Sequence, residues 1–490
     1  MFFDTRQKIN PRRVILLVGD ILSIAFSITL SACIRLSYYE GLAYVLEHIP
    51  TLAGSGLIFL LIYYIGGMYE SKALTRKGSL VLSSVTVGVA LVIVILAFYA
   101  RFQLNVGRGI LLLAGLFIFF STWSLRHLYR LAVGYGFLAK NTLIVGLDEE
   151  VTDAVRLLTK TEDPGYKLFG IVSCEVGHSG EFLEGIPILG HIDRLREFVQ
   201  VYSIESLIVA PSLVKDHAML RVLRPLRYAG IEVIDYVSLH EELAQEILLD
   251  HIDDEWLMKA ALNSSVIHIR KMKRIMDITV SVLGLILLAP VVLLTMILIK
   301  MDSSGPVLFK QHRAGYEGWV YTLLKFRTMK HGAEAESGAV WSEPFDKRVT
   351  RVGRFLRKWR IDEIPQLINV LRGEMSLVGP RPERPEFIDM LAEAIPFYRE
   401  RLLVPPGISG WAQVMYPYAA SIESARKKLQ YDLYYIKHMS FFLDCLILLR
   451  TLKTIIVGLR YNEEDEDDET PSGKVIALNP ADRGKGIQTA

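Results

Sequence analysis

The sequence predicts a membrane protein of three parts: a four-helix transmembrane bundle, an α/β domain on a doubly wound parallel sheet, and a C-terminal domain that opens with a further apolar membrane segment. Three observations predict it. Four apolar runs crowd the N-terminal quarter, strand and helix patterns alternate through residues 141–265, and one further apolar run, Ile278 to Ile299, carries cations on both flanks.

A chain of 490 residues is too long for one typical domain. Hydrophobic residues make up 51% of it, which supports membrane segments. The formal net charge of +2 includes −7 from the run Glu463 to Glu469, so the remainder carries +9. A basic body suits nucleic acid, anionic lipid or phosphorylated small molecules, and the long apolar runs favour the last two. Cys33, Cys174 and Cys445 stand apart without metal-ligand spacing and read as reduced thiols.

The first apolar run, Val14 to Ile34, exceeds a signal-peptide core and lacks a clear small-residue cleavage site, so a retained helix is expected. Tyr44 to Gly66, Leu80 to Ala100 and Ile110 to Leu128 follow, each near the ~20 residues that cross a bilayer. Arg12 and Arg13, then Lys72, Arg76 and Lys77, then Arg126, Arg130 and Lys140 mark the cytoplasmic loops, with Arg101 and Arg108 as counter-signals. Both ends of the bundle are therefore expected inside. With hardly an interior charge, it reads as an anchor or oligomerisation element rather than a transport path.

From Asn141 the pattern turns to α/β. NTLIVG is a strand, Glu149 to Thr161 a helix, and KLFGIVS, SLIVA and IEVID are further strands, which makes residues 140–265 one domain. LIVGLDEE offers one glycine where a dinucleotide fingerprint needs three, which weakens a nucleotide-dependent epimerase or dehydratase reading.

Ile278 to Ile299 is long enough to span, yet Lys271, Lys273 and Arg274 precede it and Lys300 and Lys310 follow. Pro290 interrupts its centre, removing a backbone hydrogen bond and favouring a bend. A fifth span with a proline kink and a re-entrant helix at 275–300 both remain open on these grounds. Farther on, Pro385 to Tyr398 reads as a helix, Pro405 to Val414 as a loop or turn, and Ser421 to Lys437 as a charged helix. Phe441 to Leu459, interrupted by Asp444, Arg450 and Lys453, reads as an interfacial helix, and residues 461–490 as an acidic disordered tail. Trp411, Tyr416, Tyr418, Tyr434 and Tyr435 suit either a core or a membrane interface.

Within residues 270–460 the densest chemistry lies at Asp362 and Glu363, just ahead of Pro365, the helical stretch QLINVL and Gly373. Proline in a first turn and glycine past a last turn frame a short helix, with the acids at its positive end. Arg348, Arg351, Arg354, Arg357, Lys358, Arg360, Arg372, Arg381 and Arg384 crowd around them. That many cations point to an anionic substrate, although by spacing alone an Asp-Glu pair at a helix start is usually a capping and dipole device. His312, His331 and His438 lack ligand spacing.

KFRTM (325–329), TRVGRFLR (350–357), DEIPQLINVLRGEMSLVGPRP (362–382), PGISGWAQV (406–414) and KLQYDLYYIKHMS (428–440) occur in order. Together they closely resemble the bacterial sugar transferase family, the monotopic polyprenyl-phosphate sugar-1-phosphate transferases. Ile364, where the family more often has leucine, is a conservative departure. The resemblance covers residues 271–460, and residues 140–265 resemble the Rossmann-like, CoA-binding-type domain of the family's large members.

The resemblance implies an α+β catalytic domain with the re-entrant helix, on the cytoplasmic face of a bacterial inner membrane. It implies transfer of a sugar-1-phosphate from a UDP-sugar to undecaprenyl phosphate with release of UMP, the first membrane step of exopolysaccharide biosynthesis. Asp362 would be the nucleophile and Glu363 the ligand of Mg²⁺ beside Asp362. Lys325, Arg327, Arg351, Arg354 and Arg381 would hold substrate phosphate, and Pro290 would mark the approach of the lipid phosphate. Expected partners are the UDP-sugar, polyprenyl phosphate, membrane lipids and a second copy in a homodimer, with no nucleic acid. The alternative is a non-enzymatic scaffold for polysaccharide assembly.

Overall fold

A computed structural model describes residues 11–69, 79–100, 108–134, 139–161, 165–175, 177–214, 216–252, 256–258, 267–330, 348–416 and 421–457. The basic loop at 72–77, Arg101, His331, Tyr418 and the acidic tail at 461–490 lie outside the described residues. The chain divides into two compact units, 1–244 and 245–490.

The first unit opens with α1 (Pro11–Leu36), α2 (Tyr38–Glu47), α3 (Ile49–Ile65), α4 (Ser79–Ala100) and α5 (Arg108–Gly134). The expected second span is not one straight helix. α2 and α3 meet at His48 with an 80° bend, where Pro50 in the first turn of α3 has no N–H to carry the ladder onward. Across the chain, three described helices are long and apolar enough to cross a membrane, or four if this bent pair forms one span.

The expectation of hardly any interior charge needs correction. Asp20 of α1 and Arg126 of α5 are both buried and meet through two hydrogen bonds of 2.8 and 2.9 Å. The Arg126 guanidinium also lies 5.4 Å from the ring centre of Tyr63, whose hydroxyl is 2.9 Å from Thr122 Oγ1. Two charges this far apart in sequence cancel only when the helices pack, so neither residue's partner is legible in the chain.

The sheet of the first unit uses β1 (Lys140–Val145), β2 (Tyr166–Ser173), β3 (Phe182–Leu183), β4 (Ile186–His191), β5 (Ser206–Val209) and β6 (Glu232–Asp235). Between them run α6 (Glu149–Lys160), α7 (Leu195–Val201), α8 (His217–Tyr228) and, after β6, α9 (Tyr236–Ala244). The strand order is β3-β4-β2-β1-β5-β6, parallel except where β3 pairs antiparallel with β4. Leu143, Ile144 and Val145 on β1 and Leu207, Ile208 and Val209 on β5 are fully buried. Unbroken apolar runs of this kind belong to strands covered on both faces, so the doubly wound expectation agrees with the observed sheet.

The second unit opens at Gln245, with Ile247 and Leu249 in its core, and its first long helix is α10 (Ile267–Asp302), which continues through Pro290 without breaking into two elements. One missing hydrogen bond leaves the turns on either side of a proline intact. Leu283, Ile286, Leu287, Leu293, Leu294 and Ile297 along its middle are more than half exposed, while both ends are tied to the rest of the unit. At the first end the buried Lys273 ammonium donates to Val378 O (2.8 Å), Asp444 Oδ2 (2.9 Å) and the Tyr435 hydroxyl (3.0 Å), and Arg274 donates to Val370 O and Leu371 O. At the other end Ile299 packs with Phe326 and Leu356, Asp302 accepts from Val352 N, and Ser303 accepts from Arg327.

After α10 come the hairpin β7 (Leu308–Ala314) and β8 (Val320–Phe326), then α11 (Arg351–Lys358), α12 (Gln366–Arg372) and β9 (Ser376–Val378). The chain closes with α13 (Pro385–Ala394), β10 (Gly407–Ser409), α14 (Trp411–Met415), α15 (Ile422–His438) and α16 (Phe441–Val457). β9 and β10 pair in parallel, so the expected turn at 405–414 is a strand followed by a short helix. Trp411, Tyr434 and Tyr435 are core residues. Asp444, expected to interrupt an interfacial helix, is instead the buried partner of Lys273, because α16 turns Leu443, Asp444 and Ile447 inward and leaves Phe442, Leu452 and Ile456 out.

Candidate active site

Asp362 and Glu363 do not start α12 as the local pattern suggested. They occupy their own 3-10 turn, Ile361–Glu363, and Ile364 and Pro365 separate that turn from the helix. The turn is aimed by what precedes it. Thr350 caps α11 by accepting from Gly353 N at 3.0 Å, and Gly353 lies so close to Thr328 that an added Cβ would be 2.1 Å from its carbonyl oxygen. Arg357 Nε then reaches Thr328 Oγ1 (2.9 Å), and Arg360 takes a left-handed conformation (φ 55°, ψ 19°) that turns the chain inward. Both acids end up buried.

α12 is fixed from behind. The fully buried Asn369 accepts from Leu324 N (3.0 Å) and donates to Thr322 O (2.8 Å) and Glu374 Oε2 (2.6 Å), which ties the helix to β8. β8 delivers Lys325. Arg381 arrives on the loop after β9, whose start is held by Asp277 Oδ1, an acceptor for Ser376 Oγ (3.1 Å) and Leu377 N (3.0 Å). Gly379 lets that loop pass close to Pro405, since a Cβ there would lie 2.3 Å from the Pro405 carbonyl oxygen.

Three cations converge on one oxygen, Glu363 Oε1: Lys325 Nζ at 3.1 Å, Arg381 Nη2 at 3.1 Å and Arg360 Nη1 at 3.5 Å. Burial opposes the Glu363 charge, but Lys325 and then Arg381 and Arg360 outweigh it and hold the carboxyl well below the usual carboxylate range. Asp362 is the reverse case. Burial first, and then the neighbouring Glu363 charge, push its carboxyl up, against the opposing pull of Lys325, Arg357 and Arg360. Its Oδ1 is buried with no hydrogen-bond partner. Burial lowers the Lys325 ammonium, an effect that Glu363 partly offsets. The pair is thus split into one carboxylate clamped in its charged form and one that is desolvated and uncommitted, as in sites that divide two roles between two acids.

Of the residues singled out in the sequence, Asp362, Glu363, Lys325 and Arg381 come together. Arg327 is buried but turns its Nη2 to Ser303, leaving Nε and Nη1 unpartnered. Arg351 and Arg354 are exposed on α11 and make no hydrogen bond or ion pair with the dyad among the described residues. Pro290 is exposed midway along α10. Arg360, Asn369, Asp277 and Lys273 are the supports that sequence reasoning did not assign. Arg360 was visible only as one cation in a crowd, and the others act through contacts distant in sequence.

A group of three or more metal-ligating side chains is absent among the described residues. The donor set nevertheless fits Mg²⁺, because the cations all fall on Glu363 Oε1 and Asp362 Oδ1 is free, and this ion is commonly held by one or two carboxylates together with substrate phosphates.

A family model described as bacterial sugar transferase matches residues 268–458, and one described as CoA-binding domain matches residues 65–234. The strand ends of the sheet do not fit the diphosphate of a coenzyme. Asp148 hydrogen-bonds Ser212 across the β1/β5 crevice, and Glu149 and Glu150 fill the first turn of α6, where a phosphate would need positive potential. Gly146 serves packing, since a Cβ there would sit 2.9 Å from that of Ala210.

Among similar proteins, the UDP-N-acetylgalactosamine-undecaprenyl-phosphate N-acetylgalactosaminephosphotransferase of Aeromonas hydrophila is 44% identical over 238 residues, covering 49% of this chain and 55% of that protein. The chain thus spans about half that relative's length. The UDP-glucose:undecaprenyl-phosphate glucose-1-phosphate transferase of Caulobacter vibrioides is 42% identical over 186 residues, 38% of this chain and 69% of its own. A protein with the same description from Xanthomonas campestris is 29% identical over 326 residues, 65% of this chain and 66% of its own. With the dyad, its cations and the five ordered motifs all inside the matched region, the chain belongs to the bacterial sugar transferase family.

Proposed function

We propose that this chain transfers a sugar-1-phosphate from a UDP-sugar to undecaprenyl phosphate at the cytoplasmic face of a bacterial inner membrane, as the first membrane step of exopolysaccharide synthesis. The observation that carries this reading is the split dyad: a buried Asp362 with an unpartnered oxygen beside a Glu363 held charged by Lys325, Arg381 and Arg360. The relatives' descriptions supply the substrate class.

The Asp362 carboxylate attacks the phosphorus that bears the sugar, and the bond from that phosphorus to the oxygen bridging the two phosphates breaks. UMP leaves with the bonding pair, giving an aspartyl-phosphosugar. An oxygen of the lipid phosphate then attacks the same phosphorus, and release of the Asp362 carboxylate completes the polyprenyl-diphosphate sugar. Lys325, Arg381 and Arg360 neutralise the charge gathered between the two anions. Mg²⁺ bound by Glu363 and Asp362 would supply further charge neutralisation on the phosphates.

The topology reading rests on α10. Its exposed apolar middle suits lipid, and both its ends are bonded to the same compact unit, which supports a helix that enters and leaves one face with Pro290 near its deepest point. The helices of the first unit then form a four-span bundle that anchors the protein, with a homodimer as the assembly.

The test is exchange of labelled UMP into the UDP-sugar by the full-length protein in detergent. Exchange is expected without any lipid acceptor, to stop on chelation of Mg²⁺, and to vanish in Asp362→Asn. Exchange that strictly requires lipid would refute the covalent intermediate, and the absence of UMP release from every UDP-sugar supplied with polyprenyl phosphate would refute the transfer itself.

A further inference from the structure

Arg360 is set apart from the other cations of the dyad by two features. It is the residue whose left-handed backbone turns Asp362 and Glu363 inward, a conformation that residues other than glycine, asparagine and aspartate rarely adopt. It is also the most open of the three cations on Glu363: its side chain is 49% exposed, against 35% for Arg381 and 20% for Lys325. Its contact with Oε1, at 3.5 Å, is the longest of the three. Arg360 thus combines the greatest exposure of the three with the loosest hold on the carboxylate.

We infer that Arg360 is the donor-side phosphate-binding residue, whose guanidinium takes the nucleotide-side phosphate of the incoming donor and of the departing UMP. The inference rests on the transfer reading above. The two substrates reach the dyad from different media, the lipid phosphate from the bilayer and the nucleotide from water. A soluble polyanion entering from water meets the exposed cation first. A guanidinium presents five N–H donors in a planar fork, so it can hold a phosphate while one edge stays with Glu363. The long contact to Oε1 is the one most readily shared. Loss of UMP then returns the fork to the carboxylate, so the charge beside Asp362 stays balanced while the second half-reaction proceeds.

The backbone makes a clean test available. Glycine and asparagine both accept the left-handed conformation, so Arg360→Gly and Arg360→Asn remove the guanidinium while leaving the turn that aims the dyad. In the full-length protein, UMP binding measured by calorimetry should weaken about tenfold in both, the loss expected for one charge-assisted hydrogen bond at a half-exposed site. The KM for the UDP-sugar should rise by a similar factor, more than kcat falls, with the KM for polyprenyl phosphate unmoved. Arg360→Lys should restore part of the UMP affinity. Unaltered UMP affinity and donor KM in both neutral variants would overturn the assignment, as would a rise in acceptor KM matching that of the donor. Failure of the transfer reading looks different: the parent would bind UMP in an Arg360-dependent way yet release none from any UDP-sugar.

Discussion

Neutralising the two acids of the dyad one at a time should abolish the same activity while moving stability in opposite directions. Asp362 is buried, has an unpartnered oxygen and is pushed up by burial and by Glu363, so its charge costs more in the folded protein than in the unfolded chain. Asp362→Asn removes that cost. The substitution keeps a buried oxygen but removes the desolvated charge, a relief of about 1–2 kcal/mol, or about 2–8 °C in Tm for a unit of this size. Glu363 is the opposite case, because Glu363→Gln leaves the largely buried Lys325 ammonium without its counter-charge, and breaking such a pair costs about 3 kcal/mol or a fall of about 6–12 °C. The pH dependence separates them further. With a raised folded-state pKa, Asp362 opposes folding at high pH and does so progressively less as pH falls through that raised value, until below the ordinary carboxylate value it is neutral in both states; the Asp362→Asn gain should therefore fade on acidification. Glu363 has a depressed pKa, so its contribution is present above the ordinary carboxylate value and is lost only as pH falls through the lower folded value. The Glu363→Gln loss should thus stay level over about pH 5–9. Melting of the detergent-solubilised protein, followed at several pH values beside UMP release, measures both effects. A destabilised Asp362→Asn, or a stabilised Glu363→Gln, would show that the division of roles is wrong.

Lys273→Met leaves Asp444 buried without its cation and should cost about 3–5 kcal/mol, with most of the loss recovered when Asp444→Leu is added, as read from denaturant unfolding. In a chain whose Cys33, Cys174 and Cys445 have been replaced, single cysteines at positions 271 and 310 should both resist a membrane-impermeant thiol reagent in intact cells. Labelling at 310 alone would mean that α10 crosses the bilayer.

The sequence by itself determined the architecture where physics is local. Apolar runs of bilayer length, alternation of strand and helix through residues 141–265, proline before and glycine after QLINVL, and five ordered motifs pointed to the apolar helices, the parallel sheet and the acidic pair Asp362 and Glu363. Local pattern could not say which cations serve that dyad. Of nine arginines and lysines near it in sequence, packing selected Arg381 and Arg360 for Glu363, added Lys325 from β8, and left Arg351 and Arg354 exposed on α11. The same limit hid the pairing of Asp20 with Arg126 and of Lys273 with Asp444, and it let Asp444 pass for an interfacial charge. Periodicity reports which face of an element is buried, whereas the partner of a buried charge is chosen by an element far away in the chain. The ionisation of Asp362 and Glu363 was decided last, because both neighbouring carboxyls are desolvated and they separate only when the cations gather on Glu363 strongly enough to outweigh its burial while those near Asp362 do not.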